Sequence, residues 1–118
     1  MDKVNLEQKL SLFSECWSPK IVGQVGAFHV KLAKLHGEFV WHAHAAEDEL
    51  FLVLKGQLRM RFRDREVMVE PGEFLIVPRQ TEHCPSADEE VHVLLLEPQT
   101  TVNTGDAGGE RTRLPDWI

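Results

Sequence analysis

The sequence predicts an all-β protein, a small antiparallel barrel or sandwich with a short N-terminal helix and an extended C-terminal arm. Seven short segments either alternate apolar with polar residues or form apolar runs: residues 28–33, 39–43, 50–54, 58–63, 66–69, 74–77 and 91–96. Turn-forming residues such as Gly37, Gly56 and Gly72 separate these segments. None of the separating stretches is long enough for a crossover helix, which excludes a parallel α/β sheet.

The N-terminal helix is predicted over residues 5–15. Leu6, Leu10 and Phe13 recur there at helical spacing, and Asn5 followed three residues later by Gln8 resembles a capping box. The Ser18-Pro19 pair ends this pattern, because proline disfavours helical backbone at the residue before it.

Parity along the strands predicts which side chains face the interior. Leu58, Met60 and Phe62 alternate with Arg59, Arg61 and Arg63, and Arg65 continues the arginine row. We therefore expect the arginines to form a solvated face, directed away from any internal pocket. Phe51, Val53, Met60 and Phe62 are the predicted apolar wall of such a pocket.

The last 21 residues lose this periodicity and predict an arm rather than a further strand pair. We divide the single domain into a helix and lead-in (1–20), a barrel (21–97) and the arm (98–118). Leu114, Trp117 and Ile118 at the end of the arm are apolar, so we expect it to dock on the barrel or on a neighbouring subunit. Edge pairing or exchange of this arm would form a homodimer.

Composition limits the partners and the compartment. The chain has 118 residues, 13 lysines and arginines and 19 aspartates and glutamates, for a net charge of −6. This sign argues against general binding to nucleic acids or anionic membranes. There is no apolar run of membrane-spanning length and no secretory signal, and Cys16 and Cys84 are expected to be free thiols. We therefore expect a cytoplasmic protein.

Four residues form a candidate metal site. His42 and His44 are two positions apart, so in extended chain their imidazoles share one face. Glu49 follows across a predicted turn, and His83 comes from a distant hairpin. Three imidazoles and one carboxylate suit a divalent first-row metal such as Mn, Fe, Co, Ni, Cu or Zn.

The spacing of these residues resembles the two motifs of the cupin superfamily, specifically its small single-domain conserved-barrel (cupin type 2) members. The first motif corresponds to Gly37, four residues, His42-Ala43-His44, four residues, Glu49, six residues and Gly56, with the first spacer one residue short. The second corresponds to Gly72, five residues, Pro78 and, after four more residues, His83. Gln80 replaces the glycine of the second motif, and Ala87 replaces its closing asparagine.

This resemblance, which covers residues 28–97, implies a double-stranded β-helix or jelly-roll barrel. It also implies that His42, His44, Glu49 and His83 are metal ligands. Asp48 is the alternative carboxylate, because the family accepts a spacer of three or four residues. Glu49 is preferred because it keeps the six-residue interval to Gly56.

The resemblance does not name a reaction, because cupins include oxidases, dioxygenases, decarboxylases and sugar-phosphate isomerases. We expect either a metal-dependent enzyme acting on a small organic molecule, of the oxidoreductase or isomerase class, or a non-catalytic module that binds or senses a small ligand. The outward arginine row argues against a sugar phosphate. No catalytic residue beyond the metal ligands is identified. Other candidates are expected to lie outside the site, namely Cys84, Trp41, His29, His36 and His92.

Overall fold

A computed structural model describes residues 2–118, and over this range the predicted all-β class is confirmed. The described residues form one helix and eight strands: α1 (Leu6–Leu10), β1 (Lys20–Val25), β2 (Phe28–Glu38), β3 (Glu49–Lys55), β4 (Leu58–Phe62), β5 (Glu66–Val69), β6 (Phe74–Val77), β7 (His83–Pro98) and β8 (Asp116–Trp117). The helix is too short and too polar to cross a membrane, and none of the described residues forms one that could.

The long strand β7 organises the sheet. One edge of β7 pairs with β2, while its other edge pairs first with β4 and then with β3. The hydrogen-bonded order is β5-β4-β7-β2-β1-β8, and β6 pairs with β3. Every pairing is antiparallel except that of β8 with β1. The sheet curves around a core but does not close on itself.

The apolar core lies on the inner face of this sheet and follows the period-two alternation of the strands. In β3, for example, Phe51 and Val53 are buried while the intervening Leu52 is half-buried on the outer face. The core also receives Met60 from β4 and Val93 from β7. Burial of these branched and aromatic side chains supplies the main stabilisation of the fold.

The N-terminal helix is shorter than predicted. Asn5 caps α1 by accepting from the Gln8 N–H at 2.9 Å, but the helix ends at Leu10 instead of residue 15. Beyond it, Cys16 forms a bridge with Lys34, and the Lys34 ammonium lies over the Phe13 ring. After a turn at Ser11 and Leu12, the chain therefore reaches the edge of β2 instead of continuing the helix.

The observed strands differ from the predicted ones in two places. The strand predicted over residues 39–43 is wrong, because in that segment only His42 forms a bridge, with His83. Strand β1 was not predicted, because Gly23 interrupts its apolar pattern at a register shift. These differences reflect local pairing to β7 and β2, which strand propensity does not encode.

The C-terminal arm lies on the protein's own barrel. Asp116–Trp117 pair with Lys20 and Ile21 in β1, and the Asp106 backbone and carboxylate bond to the two main-chain groups of Ala43. Leu114 and Trp117, however, are 86% and 59% exposed. Ile118 is half-buried, and its N–H donates to the Ile21 carbonyl at 3.0 Å. Polar contacts therefore hold the arm, and two of its three predicted apolar anchors remain exposed.

Candidate metal centre and adjoining cavity

His42 and His83 are held side by side by a short antiparallel bridge. The His42 N–H donates to the His83 carbonyl at 3.0 Å, and the His83 N–H donates to the His42 carbonyl at 2.9 Å. Their imidazole centroids are 4.3 Å apart. Main-chain pairing thus joins residues that are far apart in the sequence.

His44 and Glu49 complete the group from the segment that leads into β3. Glu49 Oε1 lies 2.9 Å from His44 Nε2 and 3.3 Å from His83 Nε2. All four residues are buried, and one ligand atom from each lies within 4.8 Å of the others. The structure therefore brings together the four residues that the sequence selected.

Hydrogen bonds orient two of the imidazoles toward this common point. His42 Nδ1 lies 2.9 Å from the Val40 carbonyl, and His83 Nδ1 lies 2.8 Å from the Thr81 carbonyl. A carbonyl only accepts, so each Nδ1 carries the proton and each Nε2 keeps its lone pair. An outer hydrogen bond of this kind is typical of metal-ligating histidines.

The buried ligand atoms fit a metal ion. Within residues 2–118, His44 Nε2, Glu49 Oε1 and His83 Nε2 are buried without a partner in hydrogen-bonding geometry, although they approach one another closely. Buried polar atoms without hydrogen-bond partners destabilise a folded protein unless a ligand or an ion interacts with them. A cation placed among them would do so, and imidazole with carboxylate suits Fe, Mn, Ni, Cu or Zn.

Burial and the close contacts among these residues set the ionisation of the group. Burial and then the neighbouring His83 ring lower the pKa of His42 to about 4, which leaves this imidazole neutral at pH 7. Burial alone would raise the pKa of Glu49, but its contacts with His44 and His83 outweigh burial and lower it. Burial would lower the pKa of His44, whereas the Glu49 carboxylate outweighs it and raises the pKa.

The alternative carboxylate lies outside the group. Asp48 is 50% exposed and pairs with the Arg79 guanidinium at 3.2 Å. Its Oδ1 also accepts from the Arg79 N–H at 2.8 Å. Asp48 thus braces the outer surface while Glu49, one residue later, points inward.

Gln80 adopts the conformation that a glycine would adopt more easily. Its φ is 65°, in the left-handed region, and its N–H donates to the His44 carbonyl at 2.7 Å. A side chain at this φ costs conformational energy. The turn of the second motif is therefore kept despite the glutamine.

A cavity of about 50 Å³ adjoins two of the four residues. His42 and Glu49 line it, with apolar walls from Phe39, Phe51 and Leu95. Of the predicted wall, only Phe51 is among the lining residues. Val53 and Met60 are buried in the core, and Phe62 packs against the core from the outside.

The sequence analysis missed most of the lining residues, among them two buried charged ones: Lys31 in β2 and Glu97 in β7. Both are 3% exposed, and Lys31 Nζ lies 3.2 Å from Glu97 Oε2. The parity of Val91, Val93 and Leu95 reaches Glu97 and could have placed it on the inner face. Burial and then the Glu49 charge raise the pKa of Glu97.

The residues predicted to lie outside the site are found away from the cavity. The arginine row pairs outward, with Arg59 bound to Asp88, Arg61 to Glu38 and Arg63 to Glu82. Trp41 lies beneath the Arg61 and Arg63 guanidinium groups. The Cys84 thiol faces Glu38, both cysteines are free, and none of His29, His36 and His92 lines the cavity.

Known proteins resemble this chain in sequence and in fold. Bacillus subtilis YdbB is 40% identical over 63 residues, which are 52% of this chain and 56% of YdbB, so the match spans little more than half of that relative. A cupin-2 domain protein from Shewanella frigidimarina superposes with a TM-score of 0.80 at 41% identity, over 80% of this chain and 93% of its own. A Neisseria meningitidis protein superposes with a TM-score of 0.76 at 28% identity, over 82% of this chain and 99% of its own.

A model of a protein family also matches this chain. The model described as Cupin domain matches residues 28–98, which run from the start of β2 to the end of β7. This span contains the four buried residues and most of the cavity wall. The protein belongs to the cupin family.

Proposed function

We propose that the protein binds one divalent transition metal through His42, His44, Glu49 and His83 and uses it on a small organic molecule. The convergence of buried ligand atoms that lack hydrogen-bond partners carries this proposal. Fe, Mn, Ni, Cu and Zn all suit the donor set. A metal held by these residues would supply Lewis acidity beside the cavity that His42 and Glu49 line.

The chain's own residues define what can reach the site. Phe39, Phe51 and Leu95 give the cavity apolar walls, which favour a compact organic ligand. Trp17 stacks on Phe39 with ring centroids 4.6 Å apart and narrows the cavity on one side. We propose an oxidoreductase, including a dioxygenase, or an isomerase as the reaction class, because a bound metal beside a small cavity could polarise or orient a small organic molecule there.

A non-catalytic ligand-binding or sensing role is the second candidate. The feature that favours it is the small volume of the cavity, about 50 Å³, which suits tight enclosure of a ligand. Metal-dependent oxygen consumption, or conversion of a bound compound, would establish the first role. Ligand affinity that is unchanged after metal removal, with no turnover, would establish the second.

The metal proposal is tested by elemental mass spectrometry on untagged protein purified without chelator. We expect about one equivalent of metal in the parent and none in a His42→Ala/His83→Ala variant. His92→Ala is the matched control, because His92 bonds only to Glu90 outside the cavity, and it should retain the metal. A parent that contains no metal and takes none up on reconstitution would refute the proposal.

We also propose that two copies associate along β6. Among the described strands β6 pairs only with β3, so its other edge is open. Phe74 and Ile76 on this strand are 61% and 51% exposed. Light scattering should give twice the 13.5 kDa chain mass for the parent and the single mass for Ile76→Lys. A parent that elutes as a monomer would contradict this proposal.

We also propose that the protein is located in the cytoplasm. Cys16 and Cys84 are free in the structure, as expected for a protein of the reducing cytoplasm. Cell fractionation with an antibody to the native protein tests this expectation, and recovery outside the cytoplasmic fraction would contradict it.

A further inference from the structure

A buried ion pair faces the cavity from the strands next to the metal ligands. Lys31 lies on β2 and Glu97 on β7, and these strands are paired in antiparallel register. Their side chains meet on the inner face, with Lys31 Nζ at 3.2 Å from Glu97 Oε2. Both residues line the same cavity as His42 and Glu49.

The pair leaves hydrogen-bonding capacity unused. Glu97 Oε1 is buried and has no partner among the residues that the structure describes. The Lys31 ammonium carries three N–H donors, and the one side-chain bond found for it goes to Glu97. A free acceptor and free donors therefore lie side by side. A hydroxyl group, which both donates and accepts, satisfies them together.

Stability alone does not explain this pair. Burying two charges costs more solvation energy than a pair of similar apolar side chains, which often stabilise a protein as well or better. The neighbouring wall, formed by Ala33, Phe51 and Leu95, is apolar. A few polar groups set in an apolar wall are typical of a site that orients a ligand.

Charge around the cavity indicates the other end of the ligand. Lys31 and Glu97 cancel, and Arg113 on the C-terminal arm adds a positive charge to the lining. A divalent metal beside the Glu49 carboxylate adds one more net positive charge. This excess favours an anionic ligand, and a carboxylate is the compact anion that suits a guanidinium group.

We propose that Lys31 and Glu97 recognise the hydroxyl group of a small hydroxycarboxylic acid whose carboxylate balances the positive charge of the cavity. This inference rests on the proposed function, because it assigns a ligand class to the same site. Lys31 donates a hydrogen bond to the hydroxyl oxygen, and Glu97 Oε1 accepts a hydrogen bond from the hydroxyl O–H. The apolar wall encloses the carbon chain.

The test compares three probes of similar size on zinc-loaded protein: lactate, propanoate, which lacks the hydroxyl, and propane-1,2-diol, which lacks the carboxylate. We expect titration calorimetry to show that lactate binds at least about tenfold tighter than propanoate or propane-1,2-diol, because losing a hydrogen bond to a charged group weakens binding by about that factor. The Lys31→Met/Glu97→Leu variant should bind lactate at least about tenfold more weakly.

Lys20→Met is the matched control. Lys20 is also buried and ion-paired, with Glu15 and Asp116, but it does not line the cavity. It should leave lactate affinity unchanged. Circular dichroism and zinc content should show that the double variant keeps its fold and its metal, which a purely structural ion pair does not predict.

Equal affinity of parent and double variant for lactate, or no preference of the parent among the three probes, would overturn the inference. If the double variant does not fold, the preference of the parent protein for lactate over the other two probes still tests the inference. Zinc analysis separates this inference from the proposed metal function. If the parent binds no zinc but still prefers lactate, the metal function is refuted and the role of Lys31 and Glu97 stands. If the parent binds zinc but shows no preference for lactate, the role of Lys31 and Glu97 is refuted and the metal function stands.

Discussion

Gly105 of the C-terminal arm packs directly against His42. A Cβ atom at Gly105 would lie 2.4 Å from the Ala43 carbonyl oxygen and 3.1 Å from His42 Cδ2, and the glycine φ is +52°. The main chain of the arm therefore touches the main chain and the ring of the metal-site segment, with no room for a side chain. The arm supports the site as well as covering it.

Gly105→Ala should therefore weaken both the fold and the metal site. The Ala43 carbonyl is backbone and cannot move aside cheaply, so we expect a loss of about 1–3 kcal/mol in the free energy of unfolding. Zinc affinity should fall with it, because the His42 ring must shift. Urea unfolding and competition with a chromophoric chelator measure the two effects.

Gly108→Ala is the control for this substitution. Gly108 lies in the same arm at φ +58°, but nothing lies within 4 Å of an added Cβ. It carries the backbone strain without the steric clash, so the difference between the two variants isolates the contact with Ala43 and His42. Equal zinc affinities in the two variants would show that this contact does not support the site.

Glu49→Gln should lower zinc affinity at least about 100-fold, as removing even an outer hydrogen bond of a metal site costs about 10–100-fold. The amide has the same size but cannot supply the anionic oxygen that lies against His44 and His83. Asp48→Asn, on the exposed pair with Arg79, should keep the parent affinity. The opposite ranking in a chelator competition assay would make Asp48 the carboxylate ligand.

After treatment with a chelator, the protein should lose stability as the pH falls from 6.5 to 4. Folding lowers the pKa of His42 from 6.5 to about 4, so in this window the unfolded chain binds the proton and the folded chain does not. The unfolded state gains by protonation, and this one histidine contributes a loss of about 3 kcal/mol over the window.

His42→Asn should remove that part of the pH dependence, while His92→Asn should keep the parent slope because His92 is outside the site. Urea midpoints measured at pH 6.5 and 4.5 for the three proteins give the comparison. Parallel pH profiles for the parent and His42→Asn would show that His42 does not titrate in this way.

Gln80→Gly should stabilise the protein by about 0.5–1 kcal/mol. The residue has a φ of 65°, which glycine reaches without steric cost, although glycine also loses more entropy on folding. Gln80→Ala keeps the Cβ and should show no such gain. Thermal unfolding of the three proteins provides the measurement, and an equal gain in the alanine variant would assign the effect to the glutamine side chain.

The metal quartet was predictable because two motifs with defined spacings carry it. His42 and His44 share a strand-like face at two-residue spacing, and Glu49 and His83 follow at the intervals of the family pattern. The choice between Asp48 and Glu49 rested on the family pattern alone, namely the interval to Gly56 and the usual glutamate at this position. In the structure the Arg79 pair holds Asp48 on the surface, while Glu49 reaches the histidines.

The sequence by itself determined the all-β class, because period-two patterning is a local property, and it selected the four buried residues, because the spacings of the two motifs can be read along the chain. Only the tertiary structure decided the lining of the cavity. In β2 the outer Leu32 and the inner Ala33 are both buried, because both faces of the strand are covered there. The alternation of residues along β2 therefore could not identify the inner face, which carries Lys31. The meeting of Lys31 with Glu97 depends on the pairing of β2 with β7, which joins residues 66 positions apart.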